Sequence, residues 1–178
     1  RHDYVITLDA ASYLYGDALH RLVERFFNDP ATTKAVAGTM LVRNSRKNWV
    51  TRAQEWDYFH GIAAIKRVQS LFQGTMVAQG AFSMYDRDAL GMIGGWKDCV
   101  GEDIVLTWAL LAKGWRVGHA ENALCFTNVP ENVPQLIRQR KRWSRGMIEA
   151  FRHHPRILVA GRMTTLFAWW NLLFPWLD

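Results

Sequence analysis

Two cysteines, Cys99 and Cys125, in 178 residues are too few for a disulfide framework. A reducing compartment is the easier setting for such a chain. No Asn-x-Ser/Thr acceptor occurs, which fits a protein that stays out of the secretory route. There is no Gly-x-Ser-x-Gly elbow, no glycine-rich phosphate loop, no internal repeat and no low-complexity tract. The histidines (His2, His20, His60, His119, His153, His154) are scattered without metal-ligand spacing to neighbouring acids, which argues against a zinc site. Acidic residues nearly vanish from one stretch. Arg138, Arg140, Lys141, Arg142, Arg145, Arg152, Arg156 and Arg162 stand there against a single acid, Glu149. From Met163 to Leu177 charge is absent altogether.

What is present bounds the class. Hydrophobic residues at 49% and charged residues at 21% exclude both a disordered tail and a multi-span membrane protein. The length suits one domain with a sizeable core. A net charge of +6 points to an anionic partner: nucleic acid, a phosphate-bearing substrate or an anionic membrane face. The uncharged C-terminal stretch carries Trp169, Trp170 and Trp176. As a helix its fifteen residues would span about 22 Å, short of the roughly 30 Å hydrocarbon core. Basic residues followed by a Trp-rich apolar segment nevertheless predict entry from the cytoplasmic side into a membrane. A buried C-terminal core helix is the alternative. Both ends read as cut, so the chain is expected to be an excerpt of a longer protein.

Hydrophobic periodicity predicts alternating strands and helices, and hence an α/β sheet protein. Strands are expected at Tyr4–Leu8 (buried), Ala35–Val42, Val77–Tyr85 and Trp115–His119. Helices are expected from a cap at Asp17 to about Phe27, over Trp49–Val68, Arg87–Ile93 and Asp103–Lys113, and over Pro134–Phe151.

Three places could carry chemistry. Asp9 follows a strand's carboxyl end, where open α/β sheets bind ligands, although a plain turn aspartate looks the same. Gly101-Glu102-Asp103 opens a helix. Paired acids there complement the helix dipole, or one of them serves as a general base for an attacking hydroxyl. Gln139-Arg140-Lys141-Arg142-Trp143 puts guanidinium groups suited to phosphate beside an indole suited to stacking. A solvated basic face and single-stranded nucleic-acid binding are the competing readings, but no nucleic-acid motif accompanies the cluster.

The ordered set of pieces resembles the processive family 2 glycosyltransferases, the membrane synthases of cellulose, hyaluronan, chitin oligosaccharide and poly-N-acetylglucosamine. The pieces are Leu8-Asp9-Ala10-Ala11, Gln79-Gly80-Ala81-Phe82-Ser83-Met84-Tyr85, Gly94-Gly95-Trp96, Gly101-Glu102-Asp103, Gly114-Trp115-Arg116-Val117 and Gln139-Arg140-Lys141-Arg142-Trp143. Each is weak alone, and their order is specific. The resemblance implies a GT-A-like mixed sheet flanked by helices, with its N-terminal part upstream of residue 1. On this division residues 1–133 are the C-terminal part of the transferase domain. Residues 134–162 are a basic interfacial region, and residues 163–178 begin a transmembrane or membrane-interface segment.

The resemblance further implies an inverting transfer from a nucleotide-diphosphate sugar, with UDP-N-acetylglucosamine the expected donor, to a growing polysaccharide. Asp103 matches the catalytic base, with Glu102 beside it. Asp9 matches the first acid at the nucleotide sugar and its Mg²⁺ or Mn²⁺. Gly80, Ala81 and Ser83 match the loop lining the acceptor and donor pocket. Gln139, Arg142 and Trp143 match the motif holding the donor diphosphate and the acceptor end. The implied location is the plasma (inner) membrane with a cytoplasmic active site, with room for an accessory membrane subunit and no nucleic-acid partner. The sequence departs from the family pattern at Ala11, where a second metal-side Asp is expected; an alanine cannot ligate an ion. Because the resemblance places the first strands of the nucleotide-binding fold upstream of residue 1, the isolated residues are expected to bind a nucleotide sugar poorly and to be inactive. A non-catalytic homologue that binds nucleotide or glycan is the alternative.

Overall fold

The computed structural model of the protein describes residues 2–173. Its sheet has five strands: β1 (Tyr4–Leu8), β2 (Tyr13–Leu14), β3 (Thr33–Val42), β4 (Phe82–Asp86) and β5 (Arg116–Thr127). Their order is β1-β4-β3-β5-β2. The β3–β5 pair is parallel and the others are antiparallel, so the sheet is mixed as expected.

Helices cover both faces. Helix α1 (Ala18–Asn28) packs Ala18, Leu22 and Phe26 onto Val36, Met40, Phe82 and Met84. Helix α5 (Glu102–Ala112) packs Ile104, Val105, Trp108 and Leu111 onto Ala35, Ala37, Tyr85 and Val117. Alternate residues of each strand therefore feed alternate cores, as the two-residue strand period requires. Trp108 is fully buried, and its indole N–H donates to Met76 O at 3.1 Å, which satisfies its one donor.

Between β3 and β4 a continuous helix runs from α2 (Trp49–Trp56) through a π-helical stretch (Asp57–Ala64) into α3 (Ile65–Leu71). Then come α4 (Arg87–Met92) after β4, α6 (Val133–His153) after β5, and α7 (Met163–Leu173). Helix α6 starts one residue before the expected Pro134: Asn132 accepts from Gln135 N–H at 3.0 Å, and Pro134 lies in the first turn.

Four expectations are corrected. β1 is not buried: Tyr4, Ile6 and Leu8 are exposed because β1 is an edge strand bonded only to β4. Asp17 does not cap α1 with its side chain; the carboxylate pairs with Arg21 Nε at 3.0 Å instead. The run from Val77 forms a strand only from Phe82, because Ala78 N–H is taken by Thr107 Oγ1 at 2.9 Å rather than by a ladder. β5 continues to Thr127, well past His119. Its pairing with β3 shifts register between Ala37 and Thr39, at Gly38, where a Cβ would collide with the Phe82 ring. Among the described residues no helix is long and apolar enough to cross a membrane. The expected membrane segment is described as α7 up to Leu173, and residues 174–178 lie outside the described residues.

Candidate active site

The two candidate acids are tied to one loop. Asp9 leaves the end of β1 exposed, and its backbone N–H donates to Ala81 O at 3.1 Å. Asp103 sits half-buried in the first turn of α5, and Gly80 N–H donates to its Oδ2 at 3.4 Å. Glu102 lies on the same side, its Oε1 3.8 Å from where a Cβ on Gly80 would stand. Thr107 fastens the arrangement, donating to Asp103 O at 2.7 Å while accepting from Ala78 N–H. Gln79 anchors the loop to the sheet through Gly38 O at 2.9 Å. Ser83 lies under the loop: it is fully buried and its hydroxyl donates to Gln79 O at 2.7 Å, so it supports the loop from below.

Helix α6 brings the basic motif to this place. A Cβ at Gly101 would collide with the backbone of Gly146, so the entrance of α5 and the middle of α6 touch through two glycines. Trp143 is half-buried against the cluster that also includes Ala81, and its ring lies 6.3 Å from that of buried Tyr58. Arg140 stacks over Trp143 at 4.4 Å and pairs with Asp57, which fixes the indole from outside. Gln139 Oε1 is buried without a hydrogen-bond partner among the described residues. Arg142 is exposed and makes no ion pair among the described residues, so its guanidinium can meet an anion. Two surface hollows, of about 520 and 700 Å³, lie along α6, and neither is lined by Asp9, Asp103 or Gln139.

Comparison with known proteins gives the family and the fold. The sequence profile described as glycosyl transferase family group 2 matches residues 4–177. The chain belongs to this family. Poly-beta-1,6-N-acetyl-D-glucosamine synthases of Staphylococcus aureus (strain COL) and Staphylococcus epidermidis are 34% and 33% identical over 146 residues. These alignments cover 82% of this chain and 35% of each relative, so the chain spans about a third of the relatives' length. Among solved structures, a mannosyltransferase from Pyrobaculum calidifontis in complex with GDP-Man and Mn²⁺ superposes with a TM-score of 0.63 at 21% identity. It covers 84% of this chain and 39% of that one, and it shows a shared GT-A-like fold.

The solved neighbour is in complex with Mn²⁺, and the residues present here offer few ligands for such an ion. Among the described residues no group of three or more His, Cys, Asp or Glu could hold a metal. Asp9 offers one exposed carboxylate, and Ala11 offers none. One carboxylate does not retain a resident ion. It does fit an ion carried in on a diphosphate, because Mg²⁺ commonly takes one or two carboxylates plus substrate phosphates.

Sequence reasoning missed the polar groups beneath the site. Lys66 of α3 is buried, and burial lowers its ammonium to about 7, partly offset by the nearby Asp103 carboxylate. His119 on β5 is buried with Nε2 3.3 Å from Thr39 Oγ1. Burial, then the Lys66 charge, lowers it to about 3. Burial raises the Tyr58 hydroxyl, against the pull of Arg140. A lysine in an amphipathic helix reads as solvated, so nothing local signals Lys66. Glu149 was visible in the sequence as the lone acid of a basic run.

Proposed function

We propose that the protein is the donor- and base-bearing part of an inverting transferase that extends a polysaccharide from UDP-N-acetylglucosamine. The observation that carries this reading is the convergence of Asp103, the Gln79–Ala81 loop and the Gln139–Trp143 face of α6. The synthase relatives, poly-beta-1,6-N-acetyl-D-glucosamine synthases by name, support the choice of sugar.

Asp103 takes the proton from the acceptor hydroxyl. That oxygen forms a bond to the anomeric carbon while the bond from the carbon to the diphosphate breaks, which inverts the centre. Gly80 N–H holds the Asp103 carboxylate in place, so it need not reorganise as the proton arrives. Arg142 meets the charge that develops on the leaving diphosphate, and the unpartnered Gln139 Oε1 accepts a hydroxyl of donor or acceptor. Trp143 offers an indole against which the acceptor end stacks. Ala81 and Glu102 line the opening beside Gly80. Asp9 would hold a donor-borne Mg²⁺ or Mn²⁺, which would supply Lewis-acid neutralisation of the diphosphate.

Residues 1–133 serve as the transferase body and residues 134–162 as a cytoplasmic interface region whose exposed Arg138, Arg152 and Arg156 face anionic headgroups. Residues 163–178 begin the membrane-associated segment of a plasma-membrane enzyme that leaves room for an accessory subunit. Ala11 alone motivates a non-catalytic relative, and nothing else in the site supports one.

The test is donor turnover by the complete gene product in membranes, comparing UDP-N-acetylglucosamine, UDP-glucose and GDP-mannose, with Mn²⁺ and with chelator. Metal-dependent transfer of N-acetylglucosamine alone is expected. Preference for another sugar would overturn the donor assignment, and no transfer from any donor would overturn the reaction. Ala11→Asp is expected to lower the metal concentration needed for half-maximal rate while leaving the choice of donor unchanged.

A further inference from the structure

Helix α5 lacks a cap of its own. Its N-cap residue is Gly101, which has no side chain, yet the backbone N–H groups of Val100 and Gly101 lead directly into the turn that carries Asp103. Both are satisfied from another helix: Glu149 Oε2 accepts from Val100 N–H at 2.8 Å and from Gly101 N–H at 3.2 Å. The other carboxylate oxygen, Oε1, accepts from Arg145 Nε at 3.1 Å, so the acid is held at both ends. The Glu149 side chain is 18% exposed. One helical turn earlier on α6, Gly146 rests on Gly101, and a Cβ there would stand 2.8 Å from Gly101 Cα.

Glu149 is thus the single acid of the Arg138–Arg162 stretch, and it is spent on the backbone of another element. A carboxylate at a helix N-terminus complements the orphan N–H groups and the positive end of the dipole. Burial opposes its charge, but the Gly101 N–H, Arg145 and the Val100 N–H together keep the carboxyl below its ordinary range.

We propose that Glu149 is a positioning residue that locks the Gln139–Trp143 helix to the entrance of the Asp103 helix. The lock rests on the reading of Asp103 as the base. Gly101 against Gly146 sets the distance between the helices, and Glu149 sets their rotation. Without the carboxylate, the two N–H groups are left unpaired and the α5 entrance is free to shift relative to α6. A displacement near 1 Å between base and donor-holding groups costs about 100-fold in rate.

The experiment compares Glu149→Ala and Glu149→Gln in the complete gene product, alone and with Asp103→Asn. Gln keeps an acceptor oxygen of the same reach. Glu149→Ala is expected to lower kcat by about 10- to 100-fold with donor KM changed less than about twofold, and Glu149→Gln to recover most of the rate. In the Asp103→Asn background, Glu149→Ala should cause no further loss of residual turnover. Hydrogen exchange supplies a readout independent of activity: the Val100 and Gly101 amides should exchange faster in Glu149→Ala than in Glu149→Gln. Equal losses in Ala and Gln, a loss additive with Asp103→Asn, or unchanged exchange at Val100 and Gly101 would overturn the lock. If wild-type protein turns over no nucleotide sugar, the transferase reading fails, and the exchange experiment still decides whether Glu149 holds the two helices.

Discussion

Lys66 is buried near Asp103 with no ion pair among the described residues, and its burial gives a signed pH dependence. Exposed in the unfolded chain, it keeps its proton to its ordinary 10.5; folded, it releases it at about 7. The unfolded state therefore binds the extra proton between these values, and stability rises with pH across that window. His119 acts with the same sign lower down, between about 3 and its ordinary 6.5. Lys66→Met should raise the melting temperature at pH 7 and flatten its rise toward pH 10. Thermal scans at pH 6, 7, 8.5 and 10 check this, and an unchanged slope would refute it. The candidate acids Asp9 and Asp103 were singled out in the sequence by the ordered motifs that resemble the family, since their places at element ends also suit a plain turn and a helix-dipole complement. Lys66 and His119 were not, because their burial is decided by packing between α3 and β5, which share no local pattern.

Elements were legible where one periodicity ran uninterrupted. α5 and α6 were found to within two residues at each end, from their apolar spacing. β5 was read as ending at His119 because Glu121 and Asn122 interrupt its apolar run, although both stay in the strand. β2 has two residues, too few for any pattern. The π-helical stretch was read as ordinary helix, since nothing in Asp57–Ala64 marks its wider turn locally. Asp57 and Tyr58 at its start face Arg140 and Trp143 on α6. The α5–α6 contact was invisible in the sequence, because a glycine pair far apart in the chain carries no spacing signal. Gly146→Ala should separate these helices. It is expected to destabilise the fold by about 1–3 kcal/mol, as overpacking commonly does, and to cost rate at saturating donor. A denaturation midpoint and kcat indistinguishable from wild type would show that the close approach is dispensable.

At the scale of the molecule, β1 is a sheet edge whose outward residues Tyr4, Ile6 and Leu8 are exposed, and Asp9 stands at its end. Asp103 and α6 are braced by a core containing Trp108, Leu110 and Leu111, whereas Asp9 rests on one edge strand. The 178-residue chain alone is expected to bind a nucleotide sugar weakly and to transfer nothing measurable, in contrast to the complete gene product with the upstream strands that the resemblance implies. Calorimetric titration of UDP into both proteins checks this, and equal affinity would contradict it. The account turns on Asp103. The decisive measurement is transfer of radiolabelled N-acetylglucosamine by the complete gene product and its Asp103→Asn variant, with UDP affinity measured on the same preparations. The account predicts transfer reduced at least about 100-fold with UDP affinity unchanged, the loss expected on removing a general base. Transfer by Asp103→Asn at the wild-type rate would contradict it.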